Sequence, residues 1–161
     1  WMAPPGGSSC APLVGAGAID TSDQRQRVGF VDHPKDPGGV TKFGVAQKFN
    51  TAVKVPEMPY ATARETGYNV YWLPAPSCAP MSPRIAAMVF DIKYAIGVGG
   101  AQQIMTAAGV SGAETGAAEL AACDALYAAR LKYYQSRPGF TTFGKGWTAR
   151  SAASRDYAKS L

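Results

Sequence analysis

Residues 27–45 read RVGFVDHPKDPGGVTKFGV, and this stretch decides how the rest of the chain is interpreted. Between Asp32 and Gly39 almost every residue favours a turn. Proline presets φ, glycine tolerates positive φ, and aspartate bonds to nearby backbone groups. A loop or a short hairpin is therefore predicted here, with Phe43 and Val45 returning to the core.

Helices dominate the prediction for the rest of the chain. The clearest helix begins at Ser82-Pro83, because serine caps a helix and proline suits its first turn. Its apolar positions share one helical face: Ile85, Met88, Val89, Ile92 and Ile96. Further helices are predicted near residues 20–28, 45–50, 61–73, 100–108, 114–136 and 145–159. The apolar stripe of the 114–136 helix is predicted to be Leu120, Cys123, Tyr127, Leu131 and Tyr134.

The organisation predicted from these patterns is one mainly α domain with a loop or small hairpin in its N-terminal third. Residues 1–18 are rich in proline and glycine and carry no charge, so we interpret them as an arm or linker. Residues 19–161 form the domain, which is long enough to bury a substantial core.

Composition limits the classes of function. The formal net charge of +5 over 161 residues favours anionic partners, but the basic residues are scattered, which makes nucleic acid an unfavoured partner. No apolar run reaches the roughly 20 residues that span a bilayer. The chain has three cysteines and one histidine, whose spacing fits no zinc site, and no cofactor is indicated. The sequence allows a disulfide between Cys10 and Cys78 but does not establish it. Cys123 is predicted to be a buried small apolar residue.

The 27–45 stretch resembles the hallmark of glycoside hydrolase family 108, a phage and bacterial N-acetylmuramidase family. That hallmark is Glu-Gly-Gly-Tyr, three residues, Pro, one residue, Asp, one residue, Gly-Gly, one residue, Thr, two residues, then Gly and an aliphatic residue. The chain matches it at Gly29, Pro34, Asp36, Gly38, Gly39, Thr41, Gly44 and Val45.

The resemblance implies a lysozyme-like fold that engages the glycan strands of peptidoglycan. It implies a catalytic-type part at residues 19–97 and a helical, peptidoglycan-binding-type part at residues 98–161. The residues that resemble the family's peptidoglycan-binding region are Arg130, Tyr133, Tyr134, residues 143–147 and Arg150. The implied location is extracytoplasmic, at the bacterial cell wall, or in a phage virion.

The resemblance also implies which residues carry the chemistry. Asp36 and Thr41 match the second and third members of the catalytic set, and Arg27 stands where the family has its acid glutamate. Cleavage of a glycosidic bond needs a proton delivered to the leaving oxygen. A guanidinium keeps its proton up to a pKa above about 12, so it cannot act as a general acid near neutral pH. We therefore expect acid catalysis to be absent or strongly impaired.

Two questions about site residues stay open. Asp32 and His33 offer an alternative acid, although loop formation is the simpler reading of both. Gly38, Gly39, Tyr71 and Trp72 are the predicted substrate-binding residues. The two aromatic rings suit either stacking on a sugar or packing in the core.

Three functions follow from the same residues. The first is a lysozyme-like domain that engages peptidoglycan with impaired catalysis, and the second is an active hydrolase with an altered acid. The third is a virion structural module that reuses the fold and contacts other virion proteins, since fold does not determine function. Binding to sacculi separates the first from the third, and wall clearing separates the first from the second.

Overall fold

A computed structural model of the protein describes residues 29–32, 34 and 38–161. These residues fall into two units, one ending at Tyr71 and the other beginning at Trp72. We call them the hairpin unit and the helical unit. The predicted arm at 1–18 and the predicted helix at 20–28 lie outside the described residues. The proposed division between residues 97 and 98 stays a prediction.

The hairpin unit is built on two short antiparallel strands, β1 (Thr41–Lys42) and β2 (Val45–Ala46). They are joined by a two-residue turn in which Phe43 has φ 51° and Gly44 has φ 81°. Two positive φ values define the turn geometry whose twist matches that of paired strands. The hairpin predicted from the turn-rich sequence is confirmed, and Phe43 and Val45 are buried as expected.

The remainder of the hairpin unit is helical but irregular. Two short 3₁₀ helices, Gln47–Phe49 and Val55–Glu57, precede α1 (Tyr60–Thr66). The chain then continues as a π-helix, Gly67–Trp72, so the helix predicted at 61–73 is present with a widened second half. The short helix predicted near residues 45–50 is present only as the 3₁₀ helix Gln47–Phe49. Val45 and Ala46 pair with β1, which leaves only three residues for a 3₁₀ turn.

Four helices form the helical unit: α2 (Pro83–Ile96), α3 (Val98–Ala108), α4 (Ala117–Gln135) and α5 (Phe140–Ser160). The Ser82 hydroxyl accepts a hydrogen bond from the Ile85 amide, as predicted for a helix cap. Gly109 ends α3 in the left-handed conformation with φ 68°. Helix α2 packs against the other three helices, so its apolar face lies at the centre of this unit. The mainly α fold class is confirmed.

The buried face of α4 differs from the predicted stripe. Cys123 and Tyr134 are buried as expected, but Leu120 is 40% exposed. Leu126 and Arg130 are fully buried instead, so the inward face is rotated from the prediction. The reason is that Arg130, a charged residue, occupies a core position. A pattern of apolar residues does not predict a charged residue in the core.

A buried carboxylate joins three of these helices. Asp91 on α2 accepts a hydrogen bond from Arg130 Nη1 of α4 at 2.7 Å and from Arg150 Nη2 of α5 at 2.7 Å. Arg130 also donates to the Tyr134 hydroxyl from Nε and Nη2. Burial alone would raise the pKa of Asp91, but the charges of Arg150 and Arg130 outweigh it and hold the pKa below its ordinary value. Asp91 is therefore an ionised structural residue.

A second buried cation fixes the proline-rich segment before α2. The Lys93 side chain is completely buried, and its ammonium donates to the carbonyls of Pro74 at 2.7 Å and Pro76 at 2.9 Å. Burial lowers the pKa of Lys93 below its ordinary value. Prolines supply carbonyl acceptors but no amide donors, which makes an ammonium a suitable partner for this segment.

We predict that Asp91→Ala lowers the free energy of unfolding by about 3–5 kcal/mol, because it leaves Arg130 charged, buried and without its carboxylate. Urea unfolding at pH 7 measures the change. The control is Lys159→Ala, which removes an exposed pair with Asp124 and should cost about 1 kcal/mol or less. Equal losses in the two variants would contradict a central role for Asp91.

The pH dependence of the wild-type protein gives a second readout of the same network. Because the folded pKa of Asp91 is lowered, its stabilisation is fully present above the ordinary carboxyl value of about 3.9. It is lost as the pH falls from there through the lowered folded value. Asp91→Ala should therefore show a shallower loss of stability in acid than the wild-type protein.

Candidate functional site

The candidate site is the loop that leads into β1, residues 38–41, which carries the Gly-Gly-x-Thr part of the sequence motif. Gly38 is buried, whereas Gly39 is exposed with φ 68° and has open space where a Cβ would stand. The backbone conformation at Gly39 is one that other residues rarely adopt. Gly39 therefore presents a bare backbone surface that a ligand can approach closely.

Backbone hydrogen bonds hold this loop on both sides. The amides of Gln47 and Lys48 donate to the carbonyls of Val40 at 2.9 Å and Gly38 at 3.2 Å. On the other side Thr41 exchanges two hydrogen bonds with Val31, at 2.7 and 2.8 Å. The Thr41 side chain is half-buried, and its hydroxyl donates to the Gly39 carbonyl at 3.2 Å. The predicted residues Gly38, Gly39 and Thr41 are thus brought together in one fixed loop.

Two amide side chains, the buried Asn50 and the half-buried Gln47, hold the backbone that follows the loop. Asn50 Nδ2 donates to the Ala46 carbonyl at 2.9 Å and to the Tyr71 hydroxyl at 3.3 Å. Gln47 Nε2 donates to the Val53 carbonyl at 2.9 Å, and its Oε1 accepts from the Val55 amide at 2.9 Å. Asn50 therefore links the hairpin to the π-helix, and Gln47 links it to the second 3₁₀ helix.

Sequence reasoning missed these supporting residues. The apolar pattern did not indicate Asn50 or Gln47. It also did not indicate Lys42, whose ammonium donates to the Pro56 carbonyl at 3.0 Å. The only available signal is chemical, because an amide offers both a donor and an acceptor and can satisfy irregular backbone. Whether such a side chain lies inside or outside cannot be decided from its type.

Three residues of the predicted chemistry, Arg27, His33 and Asp36, lie outside the described residues, so their roles stay predictions. Asp32, the alternative acid, is exposed and forms no ion pair with any other described residue. The catalytic acid of a glycosidase lies in an apolar, partly buried pocket, and the exposed Asp32 does not. The structure therefore offers no particular support for Asp32 as a replacement acid.

The predicted aromatic binding residues are both buried. Tyr71 is 8% exposed within the hairpin unit, and Trp72 is 7% exposed within the helical unit, where its ring lies 5.7 Å from that of Phe90. Burial favours the core-packing alternative over stacking on a sugar for these two rings. Their part in substrate binding stays a prediction.

Residues of the implied peptidoglycan-binding region also serve the interior of the helical unit. Arg130 and Arg150 hold Asp91, and Tyr134 is stacked on Trp147 with ring centroids 4.8 Å apart. Burial of Tyr134 agrees with the preference for core packing at this residue. Tyr133 differs, because it is half-buried and carries Arg137 4.0 Å above its ring.

Charged residues form no metal site in the part of the chain that the structure describes. No group of three histidine, cysteine, aspartate or glutamate side chains is placed to bind an ion there. Cys78 and Cys123 are both fully buried, which confirms the prediction for Cys123, while Cys10 is not among the described residues. Among residues 29–32, 34 and 38–161, no helix has both the length and the apolarity to cross a membrane.

Comparisons with known proteins place the candidate loop in a family context. The family model of glycosyl hydrolase 108 matches residues 26–97 of this chain. Among solved structures, the chain is similar to SagA from Brucella abortus, with 26% sequence identity and a TM-score of 0.70. That similarity covers 82% of this chain and 86% of SagA. No curated protein matches the chain.

These findings confirm the resemblance for the matched segment, which contains the whole 27–45 stretch, and they confirm the lysozyme-like fold. The implied peptidoglycan-binding region, residues 98–161, lies beyond the matched segment and stays a prediction.

We predict that Asn50→Ala lowers the free energy of unfolding by about 1–3 kcal/mol, because it takes the donor from the half-buried Ala46 carbonyl and empties a buried position. Tyr71→Phe removes only the hydroxyl that Asn50 contacts and should cost less, about 0.5–1.5 kcal/mol. Chemical denaturation of both variants measures the difference. A larger loss for Tyr71→Phe than for Asn50→Ala would show that Asn50 does not support the hairpin.

Proposed function

We propose that this protein binds the glycan strands of peptidoglycan through a lysozyme-like domain that has lost its general acid. The observation that carries the proposal is the match of residues 26–97 to glycosyl hydrolase 108, because it includes both the candidate loop and Arg27. Binding and catalysis use different groups, so the loss of one proton donor leaves the binding surface intact.

The geometry of the loop supports the binding half of the proposal. Gly39 leaves its backbone uncovered, and the loop is fixed by bonds to Gln47, Lys48 and Val31. A rigid site loses less conformational entropy on binding than a mobile one. The exposed backbone of Gly39 next to the Thr41 hydroxyl suits the hydroxyl and acetamido groups of an amino sugar.

The chemistry of Arg27 supports the catalytic half. Removal of general acid catalysis forfeits about 10²–10⁴-fold in rate, and the positive charge of a guanidinium opposes an oxocarbenium-like transition state. The protein therefore holds wall polymer without turning it over at the rate of an active muramidase. Because peptidoglycan lies outside the cytoplasm, the proposed place of action is the cell wall.

Binding is tested by co-sedimentation with purified sacculi. Thr41→Val keeps the shape of the side chain but removes its hydroxyl, and it should raise the apparent Kd roughly three- to tenfold. The matched control is Thr106→Val, because the Thr106 hydroxyl also donates to a backbone carbonyl but lies in the helical unit. A wild-type protein that does not sediment with sacculi would overturn the proposal.

Catalysis is tested with Arg27→Glu in a turbidity assay on the same sacculi. We expect Arg27→Glu to clear wall material roughly 10²–10⁴-fold faster than the wild-type protein, because it restores an ionisable acid at the expected position. Arg27→Gln removes the charge without supplying an acid and should show no such gain. Wild-type clearing at the rate of an ordinary lysozyme would contradict the loss of catalysis.

A further inference from the structure

The segment Gly29–Asp32, which we call the edge segment, lies beside β1 as a third, outer strand. Val31 uses both its amide and its carbonyl on Thr41, and the Gly29 carbonyl accepts from the Phe43 amide at 3.1 Å. In an antiparallel pair, residues on either side of such a doubly bonded residue direct their backbone groups away from the partner strand. The backbone groups of Phe30 and Asp32 therefore face outward.

These outward groups form no hydrogen bond within the part of the chain that the structure describes. The side chains around them are also exposed: Phe30 is 44% and Val31 is 46% exposed. Successive strand residues point to opposite faces, so the edge is flanked by an apolar side chain above and below. A charge such as that of Asp32 is a common guard against unspecific pairing at an edge, whereas backbone groups without a partner among the described residues, flanked by apolar side chains, are a template for an extended peptide.

We infer that the edge segment binds the short peptide that hangs from the glycan strand of peptidoglycan. The inference rests on the proposed function and extends it from the sugar to the peptide. Stem peptides carry amide groups that can pair with Phe30, and their alanine methyl groups match the apolar flanks. They also carry a diamino acid whose free ammonium is complementary to the exposed Asp32 carboxylate.

Position favours this occupant over others. The edge segment is hydrogen-bonded to Thr41 of the candidate loop, so the two surfaces are one strand spacing apart, about 4.8 Å. In the wall polymer the peptide is attached directly to the sugar, and the two parts reach adjacent surfaces together. The few bonds available at a four-residue edge make a weak contact, which gains strength on a polymer through effective concentration.

Three substitutions separate the parts of this contact. Phe30→Pro removes one outward amide while leaving the bonds between Val31 and Thr41 in place, since an edge strand tolerates proline where its amide faces solvent. Asp32→Asn removes the charge. Phe30→Ser removes the ring, and its matched control is Phe49→Ser, because Phe49 is 67% exposed in the same unit but does not lie on the edge segment.

The experiment measures binding to intact sacculi and to glycan strands from which an amidase has removed the peptides. We expect the wild-type protein to bind intact sacculi about five- to tenfold more tightly than bare strands. Phe30→Pro, Phe30→Ser and Asp32→Asn should each reduce that preference without changing the affinity for bare strands. Phe49→Ser should keep it. Thermal unfolding midpoints show which variants are folded, and Asp32→Asn keeps the test decisive if Phe30→Pro does not fold.

Equal wild-type affinity for intact sacculi and bare strands would overturn the inference while leaving the proposed function standing. Binding to a soluble synthetic stem peptide, alanine–γ-glutamate–diamino acid–alanine, tests whether the edge inference can hold when the proposed function fails. If the protein binds this peptide and intact sacculi but not bare strands, the proposed binding to glycan fails and the edge inference survives. Concentration-dependent dimerisation that Phe30→Pro abolishes would assign the edge to a second copy of the chain and overturn the inference.

Discussion

The arrangement of the helical unit depends on one buried carboxylate held between two guanidinium groups. Asp91, Arg130 and the partly exposed Arg150 come from three different helices, and neither Asp91 nor Arg130 could be buried alone at acceptable cost. The helices must therefore assemble together, with each arginine in reach of the same side chain. This requirement limits how far α4 and α5 can slide or rotate relative to α2, which apolar contacts alone would tolerate more readily.

The hairpin unit satisfies its buried polar groups by a different means. Asn50 and Gln47 are neutral amides that bond to loop backbone, and the only buried cation described there, Lys42, bonds to a carbonyl. Neutral hydrogen bonds are insensitive to salt and to pH across the physiological range. The candidate loop is thus held mainly by interactions that changes in salt concentration leave unaltered.

Regular elements could be predicted from the sequence because local rules act there without competition. The Ser82 cap, the apolar face of α2, the Gly109 terminus and the Gly-rich turn each follow from a few neighbouring residues. The failures have a common cause in tertiary context. Arg130 entered the core because Asp91 lay opposite it, and Val45-Ala46 became a strand because Thr41-Lys42 was available as a partner.

The candidate site also divides into features that neighbouring residues determine and features that depend on tertiary contacts. The motif predicted a turn around Gly38 and Gly39, and these two residues do lie in the loop next to Thr41, because glycine conformation and turn chemistry are local properties. Their part in binding substrate stays a prediction. The motif could not reveal Asn50 as their support, since the bonds of Asn50 span from Ala46 to Tyr71. Nor could it distinguish a buried Tyr71 from one that faces a ligand, because an aromatic ring suits either environment.

The turn at Phe43 has a consequence for how this region can change over evolution. Phe43 takes a left-handed backbone conformation at φ 51°, yet its buried ring contacts Tyr60 with centroids 5.4 Å apart. Asparagine or glycine would relax the backbone but empty the space that the ring fills, whereas leucine would fill the space and keep the strain. Few replacements satisfy both demands, so drift at this position is expected to be slow and coupled to residue 60.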